Sequence, residues 1–290
     1  MHDWGCVVTL TGVAASMGDV DAEGRVQSPA APAVIEVTSD DIKTNTALDK
    51  WITGIRDRSD ALVFLCGGAS RMSEDSKRQL LSLLGALTML SDGGLRIAVG
   101  DGGTQAGIME AAGLARRAGR RPFPLLGVAP APEISIGSTA GRTPIDPNHT
   151  HVIAVSNPAW VKARTAAGWT PDDGYWGSET DAMYEVFARL ARGKPSVTVV
   201  ANGGSITLDE VRANVAAGRR MVVIGGSGRA ADALVSALTG SEPPDDDVRA
   251  LKSRVDAAGL VKRPELFRVF DLRDGPEALA RVLKALLVDG

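Results

Sequence analysis

From about residue 33 the chain alternates short apolar runs with longer segments whose apolar positions recur at helical spacing. The runs "AVIEV" (33–37), "ALVFLCGGA" (61–69), "LRIAVGD" (95–101), "FPLLGVAP" (123–130), "HVIAVSN" (151–157), "SVTVVANGG" (196–204), "RMVVIGG" (220–226) and "LFRVFDL" (266–272) read as buried strands. Several open directly into glycine turns. Helices are expected over 73–91, with Ser73 as N-cap and Glu74 and Asp75 in its first turn, and after the turns at 102, 203 and 226. The segment "SETDAMYEVFARLARG" and two segments flanking 266–272 also carry a helical pattern. Strands alternating with helices, without hairpin dipeptides, predict an α/β fold with a Rossmann-like, doubly wound, mostly parallel sheet. The first thirty residues are less regular, with "VVTLTG" as an edge-strand candidate ahead of the loop-like "AEGRVQSPAAPA".

Composition narrows the class. Apolar residues make up 44% and charged residues 23% of 290, as in a folded globular protein. A net charge of −3 supplies no basic field for nucleic acid or an anionic membrane. Cys6 and Cys66 are too few for a disulfide framework, and no apolar run approaches the ~20 residues of a membrane helix. The expectation is a cytoplasmic protein with a small-molecule partner, as one domain over 1–290.

In a doubly wound sheet, ligands bind outside the carboxyl ends of the strands. Four glycine turns fall there: Gly67-Gly68, Gly102-Gly103 with Thr104, Asn202-Gly203-Gly204-Ser205 and Gly225-Gly226-Ser227-Gly228. Glycine lets backbone N–H groups approach an anion, and a following helix N-terminus adds about half a positive charge. None matches the G-x-G-x-x-G or P-loop spacing. Arg229 after the fourth turn offers a planar fork suited to phosphate, or is a solvated arginine at a helix start. His149 and His151 are spaced for one face of a strand, but no third metal ligand stands at an obvious spacing, so neither a metal nor a cofactor is expected. Trp160 and Trp169 are expected to wedge an insertion onto the body, with Trp176 nearer the cleft. The arginines at 116, 117, 120 and 121 complement a helix C-terminus and need no partner.

Four separated motifs, "GDGGTQAGIMEAAG" (100–113), "IDPNHTHVIAV" (145–155), "GYWGSETDAMYEVFARL" (174–190) and "VVIGGSGRAADALV" (222–235), resemble the N-terminal homology region of TRPM channels. That region belongs to the SLOG superfamily, which also holds the LONELY GUY phosphoribohydrolases. The resemblance covers about 60–240 and looks like a free-standing prokaryotic version. Residues 241–290 are expected to complete the domain. The resemblance implies a pocket for ADP-ribose, NAD or a related nucleotide. Gly102, Gly103 and Thr104 would line phosphate or ribose, and Gly226, Ser227, Gly228 and Arg229 would hold a diphosphate. Glu179, with Tyr175 and Trp176, would stand at the mouth. "NGGSITLDE" (202–210) resembles the phosphoribohydrolase motif P-G-G-x-G-T-x-x-E, keeping Gly203, Gly204, Thr207 and Glu210 but replacing the proline and third glycine. Glu210 is the candidate catalytic carboxylate of an N-glycoside hydrolase, with Asp101 or Glu179 assisting. The arginine which that enzyme family carries on the preceding helix is replaced by Phe187. Binding without chemistry, hydrolysis, and an interaction module with a vestigial pocket are the three readings left open. Sheet-edge assembly in the superfamily implies a homo-oligomer.

Overall fold

The computed structural model describes residues 31–68, 72–135 and 141–288; the strand candidate "VVTLTG", His2 and Cys6 lie outside the described residues. The strands are β1 (Ala33–Thr38), β2 (Ala61–Gly67), β3 (Ile97–Asp101), β4 (Leu125–Pro130), β5 (Ile134–Ser135), β6 (Thr143–Pro144), β7 (His151–Ser156), β8 (Ser196–Ala201), β9 (Arg220–Gly225) and β10 (Phe267–Asp271). The helices are α1 (Thr46–Asp57), α2 (Glu74–Asp92), α3 (Gly107–Ala118), α4 (Pro158–Ala166), α5 (Thr180–Leu190), α6 (Ser205–Ala216), α7 (Arg229–Thr239), α8 (Asp246–Ala258) and α9 (Gly275–Val288). Eight strands form one sheet in the order β1-β7-β4-β3-β2-β8-β9-β10, and every neighbouring pair is parallel. The small β5–β6 pair stands apart.

Strand periodicity explains the layers. Along β2, Ala61, Val63 and Leu65 face a core with α2, α3 and α9, while Leu62, Phe64 and Cys66 face the opposite side. On that side α1 and α5 cover the β1–β3 half and α6, α7 and α8 cover the β8–β9 half. Burial on both faces is why β2 is a continuous apolar run rather than an alternating one. Helix α2 starts as its sequence predicts, with Ser73 Oγ accepting from Ser76 N–H at 3.1 Å. Helix α1 had a readable signal: Leu48, Ile52 and Ile55 make one buried stripe, and Asn45 Oδ1 accepts from Leu48 N–H at 2.9 Å.

The tryptophans expected to wedge the insertion onto the body meet one another and Tyr175 within the insertion. Trp160 and Trp169 meet edge to face at 5.3 Å, Trp169 meets Tyr175 at 5.0 Å, and Trp169 Nε1 donates to Gly174 O at 3.0 Å. The arginine run differs from expectation at Arg116, which donates to Phe123 O (2.8 Å) and Asn148 O (3.1 Å), clamping two loops. Its stem is partly buried, so its guanidinium requires acceptors that a solvated arginine does not.

His149 is enclosed. Its Nε2 lies 2.7 Å from Asp101 Oδ1 and its Nδ1 lies 2.8 Å from Asp146 Oδ2. His151 instead pairs with Thr150 Oγ1 and packs edge-on against Trp51, so the two histidines serve different neighbours. Burial alone would hold His149 neutral; the Asp101 charge and the hydrogen bonds from both aspartates outweigh it and raise the pKa to about 9. The folded state therefore keeps a proton that the unfolded chain, titrating near ~6.5, releases. This contribution is complete below that value and is lost as pH rises through about 9. Urea unfolding is expected to show up to about 3 kcal/mol lower stability at alkaline pH from this group. The His149 Cε1 proton resonance is expected to titrate near 9; an ordinary histidine midpoint contradicts the bridge.

Candidate functional site

The connections diverge at one place. After β2 the chain leaves through α2 to β3 on one side, and after β8 it leaves through α6 to β9 on the other. Since β2 and β8 are adjacent, a crevice opens at their carboxyl ends, the switch point where α/β sheets bind ligands. A Cβ on Gly67, whose φ is 149°, would fall 1.9 Å from Ala201 O, so only glycine ends β2 here. Beyond it Gly68 lies over Gly203, where an added Cβ would stand 3.7 Å from Gly203 Cα.

The crevice is a cleft of about 470 Å³. It brings together Gly67, Gly68, Gly102, Thr104, Glu179, Gly203, Gly204, Ser205, Thr207, Glu210 and Arg229 from the expected set. Gly103, Asn202, Gly226, Ser227 and Gly228 do not line it. Sequence reasoning did not select Leu65, Ala106, Met109, Thr143, Met183 or Ile206, which complete the wall. Met183 was legible as one helical turn beyond Glu179. Thr143 was not, because it rides on the two-residue strand β6.

The two glycine turns after β8 and β9 are stitched to each other. Asn202 N–H donates to Ser227 Oγ (2.8 Å), whose hydroxyl donates to Ile224 O (2.6 Å). Ala230 and Ala231 N–H donate to Gly203 O and Asn202 O at 3.2 and 3.1 Å. Gly226 and Gly228 N–H donate to the carboxylate of Asp232 at 2.7 and 3.2 Å. The donors expected to cradle a diphosphate at 226–228 thus hold an internal carboxylate. Helix α7 spends its N-terminal donors on the neighbouring turn. Helix α6 begins at the cleft, and a helix's first turn leaves N–H groups with no intrahelical acceptor. Its N-terminus is therefore the better anion-facing helix end.

Arg229 and Asn202 are the two non-glycine residues with φ in the left-handed region among the described residues, at 49° and 53°. For arginine that conformation is uncommon, and here it turns the side chain over the cleft. Arg229 Nε donates to Asp247 Oδ2 at 2.8 Å. Its terminal nitrogens lie over Gly204, 3.3 Å from where a Cβ would stand.

Opposite stand two carboxyls. Glu210 Oε2 accepts from the Cys66 thiol at 2.9 Å. Burial raises Glu210 to about 8, against the lowering effect of the thiol and with help from the Glu179 and Asp209 charges. Glu179 is buried, accepts from Gly177 N–H at 2.9 Å, and is raised to about 7, mainly by burial. Behind Glu210, Asn214 donates to Tyr184 Oη at 2.9 Å and its Oδ1 accepts from Thr198 and Arg219 at 2.7 and 2.8 Å. On α5, Phe187 stacks on Phe64 at 4.3 Å inside the core, and Arg189 turns away to Ile42 O and Asp49. Neither places a cation on Glu210. At neutral pH this glutamate is mostly a neutral acid able to donate a hydrogen bond.

A parallel doubly wound sheet with a glycine-walled crevice at its switch point defines a Rossmann-like α/β protein. The family described as "SLOG in TRPM, prokaryote" matches residues 60–281, and the chain belongs to it. No curated protein matches the chain. Among the described residues no helix is long and apolar enough to cross a membrane, and no cluster of three or more His, Cys, Asp or Glu could hold a metal ion.

Replacing Asp232 with alanine removes the acceptor of the Gly226 and Gly228 amides. The expected loss is about 1–3 kcal/mol, and inorganic phosphate should restore more stability to the variant than it adds to wild type. Equal phosphate responses in urea unfolding contradict the internal-anion assignment.

Proposed function

We propose that the cleft binds a nucleotide derivative, of the ADP-ribose or NAD class, and senses rather than cleaves it. The observation that carries this reading is the pairing at one switch point of an anion-facing end with a neutral acid end. Arg229 and the start of α6 form the first; Glu179 and Glu210 form the second. A phosphate group suits the first end through charge-assisted hydrogen bonds. Ribose hydroxyls or a base suit the second, where carboxyls able to donate and accept face an otherwise largely apolar wall.

One observation favours a second reading. A carboxyl that keeps its proton near pH 7 can serve as a general acid, protonating a departing base as water adds across an N-glycosidic bond. The same neutrality makes Glu210 a poor stabiliser of a developing oxocarbenium charge, and among the described residues no arginine pairs with Glu210 in place of the one that Phe187 displaces. Binding without chemistry therefore comes first.

AMP, ADP-ribose and NAD are the probes. A nucleotide at 100 times its Kd is expected to add about 2.7 kcal/mol of stability in a thermal-shift titration. Arg229→Ala should weaken the binding about tenfold or more with the fold intact. Absence of stabilisation by all three overturns both readings. Release of free base, abolished in Glu210→Gln, replaces the first reading with the second.

A further inference from the structure

Beside the cleft lies a larger space, a groove of about 1060 Å³. It runs between the tryptophan insertion and the outward surfaces of α6 and α8, reaching Arg254. Groove and cleft share Trp176, Ser205 and Ile206 as a common wall. That wall is thin for a structural reason. Gly177, whose φ of 93° favours glycine, turns the loop alongside α6, with Ile206 Cγ1 at ordinary contact distance, 3.5 Å, from where a Cβ would stand. The start of α6 is thus a ridge with a space on either side.

We propose that the groove is a second half-site, receiving the far half of a ligand whose anionic bridge lies across the α6 ridge. The inference rests on the nucleotide reading above and sharpens it. It assigns the two heads of such a pyrophosphate-bridged ligand to separate spaces, one to the cleft and the other to the groove. Three features of the groove suit a ring-bearing, hydrogen-bonding group. Trp160 and Trp169 give it an aromatic flank, with the Arg164 guanidinium 5.2 Å over the Trp160 ring. Arg212 and Asp209 meet at 2.6 Å, and that exposed pair has little stability of its own to lose if a ligand rearranges it. Thr180 also lines the groove, and its hydroxyl, buried beneath that wall, has no hydrogen-bond partner among the described residues. The cleft alone is near the lower end of ligand-pocket volumes, roughly 300–1,000 Å³, and suits one nucleotide half.

Ala213 lines the groove and not the cleft. In Ala213→Trp the added indole fills the groove from α6. Calorimetric titrations of wild type and variant with AMP, ADP-ribose and NAD test the assignment. Expected is a fall of tenfold or more in affinity for ADP-ribose or NAD, with AMP affinity within twofold of wild type. Arg164→Ala combined with Arg212→Ala, both on the groove wall and outside the cleft, gives the same selective loss if the tryptophan variant does not fold. A parallel loss for AMP, or no loss for the two-headed ligands, overturns the half-site. Wild type that binds AMP as tightly as ADP-ribose and NAD also overturns it while leaving the nucleotide reading in place. Wild type that binds none of the three removes both.

Discussion

The pairing of β2 with β8 is the constraint on which the site depends. These two central strands run in register from Leu62 and Ser196 to Gly67 and Ala201. There the backbones press so close that no side chain fits on Gly67. Past this seam α2 and α6 depart in opposite directions, and the crevice is the space they vacate. The remaining features are consequences of position. The residue at 203, with φ of 86°, must be glycine because a Cβ would stand 2.1 Å from Thr207 Oγ1, and Thr207 in turn holds the start of α6 through the Gly204 amide at 3.3 Å.

Electrostatics then divides the crevice. On one side the turn after β9 is neutralised from within by Asp232, and its contribution to the cleft is the aim of Arg229. Burial raises the Asp232 carboxyl, while the Gly226 and Gly228 amides favour its ionised form. On the other side, two glutamates with no cation beside them among the described residues are pushed towards their neutral forms by burial. In the proposed reading an anion would meet Arg229 and the α6 ridge, not a pair of full negative charges. Ionising either acid above its raised pKa would repel that anion, so the proposed binding would weaken as pH rises.

Much of this was legible in the chain. Continuous apolar runs ending in glycine gave away the strands and the edge where they end, because burial on both faces leaves no alternation to confuse with a hairpin. Glu210, Gly203, Gly204, Thr207, Glu179 and Arg229 were found from residue type and motif. What the sequence could not carry were the choices between equivalent partners. Gly226-Ser227-Gly228 looks like an anion cradle, and it is one, but its occupant is an aspartate four residues beyond Gly228. Glycine spacing does not tell an internal carboxylate from a ligand's phosphate. Likewise the Trp160 region read as a wedge, whereas its tryptophans pack on one another and line the groove that the insertion leaves against α6. That groove exists only once α6, α8 and the insertion are folded together.

The central claim is that the cleft holds a neutral Glu210 facing a bound nucleotide. Carbon-13 labelling of the glutamate carboxyls with an NMR pH titration, with and without saturating AMP, reads both halves at once. The account predicts a Glu210 resonance that is protonated at pH 6, titrates near 8 in the free protein, and shifts when the nucleotide is added. A carboxyl already ionised at pH 6, or one indifferent to the nucleotide, would contradict it.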